Sequence, residues 1–309
     1  MTSRDYAYNP LLMRMRGSAD AGEGNFGFFH SWDGTRLFYR FWDVPNATKV
    51  VACLHGAFGH GEYFALIADK LAPQNIVTAV FDYRGHGRSG GRRGDVQDHT
   101  YWYQDARAFL MFLRSKIKEL HGHDLPIFLL GESMGGGIAA GIFAWDSTLP
   151  VAGLILFAPA VKFHFARFSL ADIFKNIPLF IAAIFAPGAR VFRTTGQETL
   201  GIADPVHQKY DQTDPLHLKK CSPRYLFNLN KMRKIAFIKG PITTTCPVII
   251  FQGSDDPAID YQGVMDYFQR LNAGGDKNIV IVRGGKHSLF DDPAFQPHWQ
   301  DVFNWFKTH

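Results

Sequence analysis

Cysteine is scarce in this chain: Cys53, Cys221 and Cys246 are the only three among 309 residues, and none belongs to a C-x-x-C pair. So odd and scattered a set gives neither a disulfide framework nor a zinc ligand set, and it fits a reducing, cytoplasmic setting. Clustered positive charge is lacking as well. The 33 Lys and Arg against 28 Asp and Glu leave a formal charge of +5, without any block of five or six basic residues. That distribution carries no nucleic-acid signature and gives only a mild attraction to anionic surfaces. Long apolar runs are missing too. The longest, residues 177–187, contains Pro178 and Pro187 and has about half of the ~20 residues that a bilayer-spanning helix needs. The first ten residues lack the apolar stretch of a secretory signal, so export is not expected.

What is present is an ordinary globular composition, 46% apolar, 15% aromatic and 20% charged, enough for one large core or a core with an insertion. After a polar, Gly-rich lead-in (residues 1–24), segments 25–32 and 35–42 read as two strands joined at Asp33-Gly34, a dipeptide suited to the positive φ of a tight turn. Short apolar runs follow at 50–54, 76–81, 127–130, 154–157, 248–251 and 279–282. Between them, segments 61–71, 99–120, 134–145, 260–271 and 294–306 place apolar residues at helical spacing. Strands apolar on both faces, alternating with helices, predict an α/β fold: a mostly parallel sheet of about eight strands flanked by helices. The rhythm stops between 162 and 245, where the sequence is Phe-rich and helix-like. Residues 25–161 and 246–309 therefore form the expected core, and 162–245 an expected helical lid inserted after the sixth strand.

Gly131-Glu132-Ser133-Met134-Gly135 matches G-x-S-x-G. A bare match arises by chance in about one chain of this length in ten, but this one sits directly between strand 127–130 and a Gly/Ala-rich helix. A nucleophile on a strained strand-to-helix turn needs that context, with small neighbours around it and its Oγ at a helix N-terminus. A serine hydroxyl attacks only when a base takes its proton, so a histidine and an orienting carboxylate must follow, in the order Ser, acid, His. Of the 13 histidines, only His287 follows the last expected strand and precedes the C-terminal helix. The loop after the preceding strand, Phe251-Gln-Gly-Ser-Asp-Asp-Pro257, supplies Asp255 and Asp256, and position leaves both open. The one not used would cap the helix near Asp260 or bond the turn's backbone. An oxyanion also needs two backbone N–H donors. Met134 follows the nucleophile, and the loop His55-Gly56-Ala57-Phe58-Gly59 points to Ala57 as the second.

At these residues the chain resembles an α/β-hydrolase, and more narrowly the monoacylglycerol lipase and lysophospholipase group (serine aminopeptidase S33-like). The features are His55-Gly-Ala, Asp82-Tyr-Arg-Gly-His-Gly-Arg-Ser-Gly-Gly91, Gly131-Glu-Ser-Met-Gly-Gly136, Ala158-Pro159, Thr213-Asp-Pro-Leu216, Gln252-Gly-Ser-Asp-Asp256 and the late His287. The match runs from about residue 25 to 307. The resemblance implies Asp256 rather than Asp255 as the acid, and Ala57 and Met134 as oxyanion donors. It implies a serine hydrolase acting, without metal or organic cofactor, on a small-molecule lipid ester with one acyl chain. The Phe-rich lid would line an acyl tunnel, make its own core, or touch a membrane peripherally.

Other signals are weaker. Arg88, Arg92 and Arg93 follow closely spaced glycines, but neither nucleotide-loop pattern is present, so a structural loop bordering the site is expected. His121, His123, His55 and His60 lack further ligands at metal spacing and are expected to be solvated loop histidines. A short-chain or broad-specificity esterase has the same machinery. A proline-iminopeptidase-type peptidase needs clustered acids, whereas Asp172, Glu198, Asp204, Asp211 and Asp214 are scattered. A non-catalytic ligand-binding relative does not require all three of Ser133, Asp256 and His287.

Overall fold

The computed structural model describes residues 25–164, 184–194, 201–238 and 243–309. The expected lead-in, residues 165–183 of the Phe-rich stretch, Asp172 and Glu198 lie outside the described residues. The chain runs β1 (Asn25–His30), β2 (Arg36–Trp42), β3 (Lys49–Leu54), α1 (Ala65–Leu71), β4 (Ile76–Phe81), α2 (Thr100–His121), β5 (Ile127–Glu132), α3 (Met134–Trp145) and β6 (Gly153–Phe157). It continues with β7 (Phe192–Arg193), α4 (Pro205–Thr213), β8 (Lys220–Cys221), α5 (Pro223–Phe237), β9 (Val248–Gly253), α6 (Tyr261–Arg270), β10 (Lys277–Val282) and α7 (Trp299–Thr308).

Eight strands form one sheet in the order β1-β2-β4-β3-β5-β6-β9-β10. The pairs β1–β2 and β2–β4 are antiparallel and all the others parallel. Alternation along β3 explains the layering. Val50, Ala52 and Leu54 enter one core with Phe109, Ile138 and Tyr267, while Val51 and Cys53 enter a second with Phe64, Phe295 and Trp305. Both faces are covered, which is why the central strands are apolar at most positions. Helix α2 buries Trp102, Ala106, Phe109, Leu113 and Ile117 at helical spacing and ends where Gly122 turns at φ 78°, a glycine stop in the left-handed region.

Three details differ from the sequence reading. The first two strands are joined by a five-residue connection, in which the Ser31 amide donates to Thr35 O at 2.9 Å and Gly34 takes φ 79°. The first and last expected helices each begin as a 3-10 turn, Gly61–Phe64 and Pro293–His298. The segment between β6 and β9 holds α4 and α5 but also the antiparallel ribbon β7–β8, whose two-residue strands are too short to show an alternating pattern.

Strand register sets the site. Leu54 lies opposite Gly131, Glu132 opposite Phe157, Phe157 opposite Phe251, and Gly253 opposite Val282. The carboxyl ends of β3, β5, β6, β9 and β10 are therefore level, and the loops leaving them share one edge, where open α/β sheets hold their ligands. The approach between α3 and β3 is close: a Cβ on Gly135 would stand 2.0 Å from the Leu54 carbonyl oxygen. Backbone cannot swing aside as a side chain can. Gly135→Ala is expected to destabilise the fold by about 3 kcal/mol, measured as a lowered urea midpoint.

Candidate active site

Ser133 occupies the single residue between β5 and α3, at φ 50° and ψ −112°. This strained backbone is held from three sides. The Ser133 amide donates to Phe157 O at 2.9 Å, and its carbonyl accepts from Ala160 N at 3.0 Å and Gly137 N at 3.2 Å. Met134, the first residue of α3, is buried, and the Tyr225 hydroxyl stands 3.3 Å from its sulfur and 3.0 Å from His86 Nε2.

The loop after β3 is set by a buried histidine. His55 Nε2 accepts the Tyr83 amide at 3.1 Å, so Nδ1 carries the proton and donates it to Gly56 O at 2.8 Å. Burial pushes His55 down to about 3, and the ring is a neutral clamp. Phe58 turns the loop at φ 66°, and its carbonyl accepts Leu218 N at 2.8 Å. Among the described residues the Ala57 and Met134 amides have no hydrogen-bond acceptor, which leaves two donors bordering Ser133. Gly56 lies beside it: a Cβ there would stand 3.6 Å from Ser133 Cβ.

The neighbouring carboxylates separate cleanly. Asp256 is 5% exposed; its Oδ2 accepts His287 Nδ1–H at 2.8 Å and Gln252 Nε2 at 3.1 Å, and its Oδ1 accepts the Ala258 and Ile259 amides at 2.8 and 2.9 Å. Burial alone would raise this carboxyl, but the charge and hydrogen bond of His287 and the two amides outweigh it and hold Asp256 below the usual carboxylate range. Asp255 is exposed and accepts the Ser254 hydroxyl at 2.7 Å. It neither caps α6 nor bonds the turn's backbone with its side chain; Asp260 caps that helix by accepting Gln262 N at 2.9 Å.

The histidine expectation needs correcting at two positions. His55 and His60 are 0% and 1% exposed, not solvated, because each has partners distant in sequence. His60 Nε2 meets Asp214 Oδ2 at 2.5 Å. His121 bonds Asp43 at 2.9 Å, and His123 is exposed. Among the described residues no cluster of His, Cys, Asp and Glu fits a metal. The arginine loop is structural, as expected: Arg84 grips Asp105 with two hydrogen bonds of 2.6 Å, Arg88 donates to Glu62 at 3.1 Å, and Arg93 donates to Gly87 O at 2.6 Å.

A cavity of about 830 Å³ opens over this edge. Gly56, Ala57, Glu132 and His287 form its floor, while Phe58, Phe163, Phe192 and Leu226 give it an apolar wall. His207, Asp211 and His217, from the segment between β6 and β9, form a polar wall. The sequence reading missed Glu132, Tyr63 and His207. Glu132 was visible as the variable slot of G-x-S-x-G, whereas Tyr63 and His207 carry no local signal.

The family comparison decides membership: the Hydrolase_4 family (serine aminopeptidase, S33) matches residues 45–294. The chain belongs to this family. This Hydrolase_4 chain is 26% identical to a monoglyceride lipase of Saccharomyces cerevisiae over 301 residues, covering 91% of this chain and 93% of that one. It is 27% identical to a human monoglyceride lipase over 261 residues, 83% of this chain and 81% of that one. A solved structure of a soluble variant of the yeast enzyme, in complex with a substrate analog, superposes with a TM-score of 0.80 at 24% identity, covering 98% and 99% of the two chains. The α/β-hydrolase fold is thereby established.

His287 gives a direct electrostatic test. Burial works against its imidazolium, but the Asp256 charge and hydrogen bond, with Glu132 beyond, more than offset it, so His287 titrates above 6.5. Asp256→Asn removes the main offset and leaves the burial. An NMR titration of His287 is expected to show a midpoint above 6.5 in the parent and a lower one in this variant.

Proposed function

We propose that this chain hydrolyses carboxylic esters of single-acyl-chain lipids, monoacylglycerols first, through an acyl-enzyme on Ser133. The observation that carries the proposal is the hydrogen bond of 2.8 Å between buried Asp256 and His287, the latter lining the cavity beside the strained Ser133 turn. The monoglyceride lipase relatives, matched along most of their length, support the substrate class.

Each residue has one task. His287 takes the Ser133 hydroxyl proton as Oγ attacks the acyl carbonyl carbon, and the Ala57 and Met134 amides hold the oxyanion. Asp256, saturated with hydrogen bonds, fixes the tautomer and offsets the imidazolium charge. Collapse of the tetrahedral intermediate breaks the ester C–O bond, and His287 returns the proton to the departing alcohol. Water, deprotonated by the same imidazole, then releases the fatty acid and restores Ser133. A peptidase holding a free amine is disfavoured, since Asp204 caps α4, Asp211 pairs with His217 at 2.8 Å, and Asp214 pairs with His60.

Residues 162–245 act in this proposal as a lid over the core at 25–161 and 246–309, because they supply both the polar wall and part of the apolar wall of the cavity. Ile184 and Phe185 on this segment are 72% and 81% exposed, with Arg190 and Arg193 exposed nearby, a combination suited to an anionic membrane surface. Three buried free cysteines support a reducing, cytoplasmic compartment. Among the described residues no helix is long and apolar enough to cross a membrane.

Two outcomes are expected. Ser133→Ala, His287→Ala and Asp256→Asn each lower kcat/KM on monoacylglycerol by about 10⁴-fold, whereas Asp255→Asn stays within about twofold; the reverse result for the two aspartates would reassign the acid. Replacing Ile184 and Phe185 together by Asp lowers the fraction bound to anionic vesicles at least tenfold, on the order of the burial of two large apolar side chains, as measured by co-sedimentation.

A further inference from the structure

Glu132 ends β5 one residue before Ser133 and is 4% exposed. Its side chain lines the cavity beside Ala57 and His287. The point that a Cβ on Gly56 would occupy lies 3.4 Å from Glu132 Oε2 and 3.6 Å from Ser133 Cβ, so the carboxylate stands next to the nucleophile.

Its surroundings leave it poorly satisfied. The Tyr63 hydroxyl donates to Oε2 at 3.3 Å, reaching in beside Gly59, where a Cβ would meet that hydroxyl at 2.9 Å. Oε1 accepts no hydrogen bond from the described residues. Two pairs of charged groups on this side are committed to one another: His207 meets Asp291 at 2.6 Å, and His217 meets Asp211 at 2.8 Å. Each of those pairs is close to neutral as a unit, whereas Glu132 forms no ion pair of its own among the described residues, with His287 and Arg193 as the other charged groups of the lining. A carboxyl oxygen that lines the cavity without a donor is open to one that arrives with the substrate.

We infer that Glu132 selects the leaving alcohol: it accepts a hydrogen bond from a hydroxyl of a neutral polyol headgroup and repels headgroups that carry an anionic phosphate. This deepens the ester-hydrolase reading and rests on it. One open acceptor beside the reacting carbon matches one free hydroxyl of a glyceryl ester. A phosphate in the same place sets like charges together, a repulsive element of the kind that separates related ligands.

Three esters with one acyl chain test the idea: monooleoylglycerol, oleoyl lysophosphatidic acid and p-nitrophenyl oleate, assayed at pH 8 with the parent protein and with Glu132→Gln. The parent is expected to prefer the glyceryl ester over the anionic one by at least tenfold in kcat/KM. Glu132→Gln is expected to narrow that preference at least tenfold, the size of one hydrogen bond to a charged group. An unchanged preference overturns the inference, and so does an equal fall on all three esters, which would make Glu132 a support for His287. Parent protein that cleaves p-nitrophenyl oleate but neither lipid overturns the glyceryl-ester reading and this inference with it. Fluorophosphonate labelling of Ser133 reports that the variant is folded. Should labelling fail, Glu132→Asp takes its place: it keeps the charge but withdraws it, so turnover of the glyceryl ester falls while discrimination against phosphate persists, and loss of that discrimination overturns the inference.

Discussion

The whole site depends on one residue of left-handed backbone. Ser133 turns the chain from β5 into α3 at φ 50°, a conformation that costs on the order of 1–3 kcal/mol unless the surroundings over-determine it. Here they do, through hydrogen bonds from three segments: the end of β6, the loop after it and the first turn of α3. The turn lifts the serine out of the sheet, and the missing side chain at Gly135 lets α3 start against the Leu54 and His55 carbonyls at the end of β3. A larger residue at Gly135 would push these apart before any chemistry began.

Around that turn, charge is handled by pairing rather than by exposure. Asp256 has all its hydrogen-bonding capacity filled, so its charge is stable in a buried place. His55 is kept neutral by burial and serves only geometry. His60 and His207 both titrate above their ordinary value because, although burial opposes it, each faces a buried aspartate. Glu132 stands apart from this scheme, and it stands in the cavity.

The sheet was legible because parallel strands covered on both faces must be apolar at most positions, as in Val50 to Leu54, and such runs are hard to mistake for anything exposed. The order Ser133, Asp256, His287 was legible because the fold fixes which loops reach the site. The choice between Asp255 and Asp256 was not legible in position alone, since two adjacent carboxylates differ only in the direction they face. Resemblance to the family supplied the choice, and the hydrogen bond to His287 agrees with it. Burial of His60 was hidden for a different reason: its partner Asp214 is 154 residues away, and nothing local announces it. Glu132 was in plain view, but a variable slot in a motif says nothing about charge until a cavity is seen around it.

Two of the buried pairs, His60–Asp214 and His207–Asp291, each join the segment between β6 and β9 to the sheet domain. They have a bearing on how this architecture is recombined. A chimaera whose replacement for residues 162–245 lacked the partner at Asp214 or at His207 would leave His60 or Asp291 unpaired, and a buried charge stripped of its partner costs roughly 3–5 kcal/mol. The segment that walls part of the cavity is thus not a free module. An exchanged segment must carry both partners, or His60 and Asp291 beneath it must change with it.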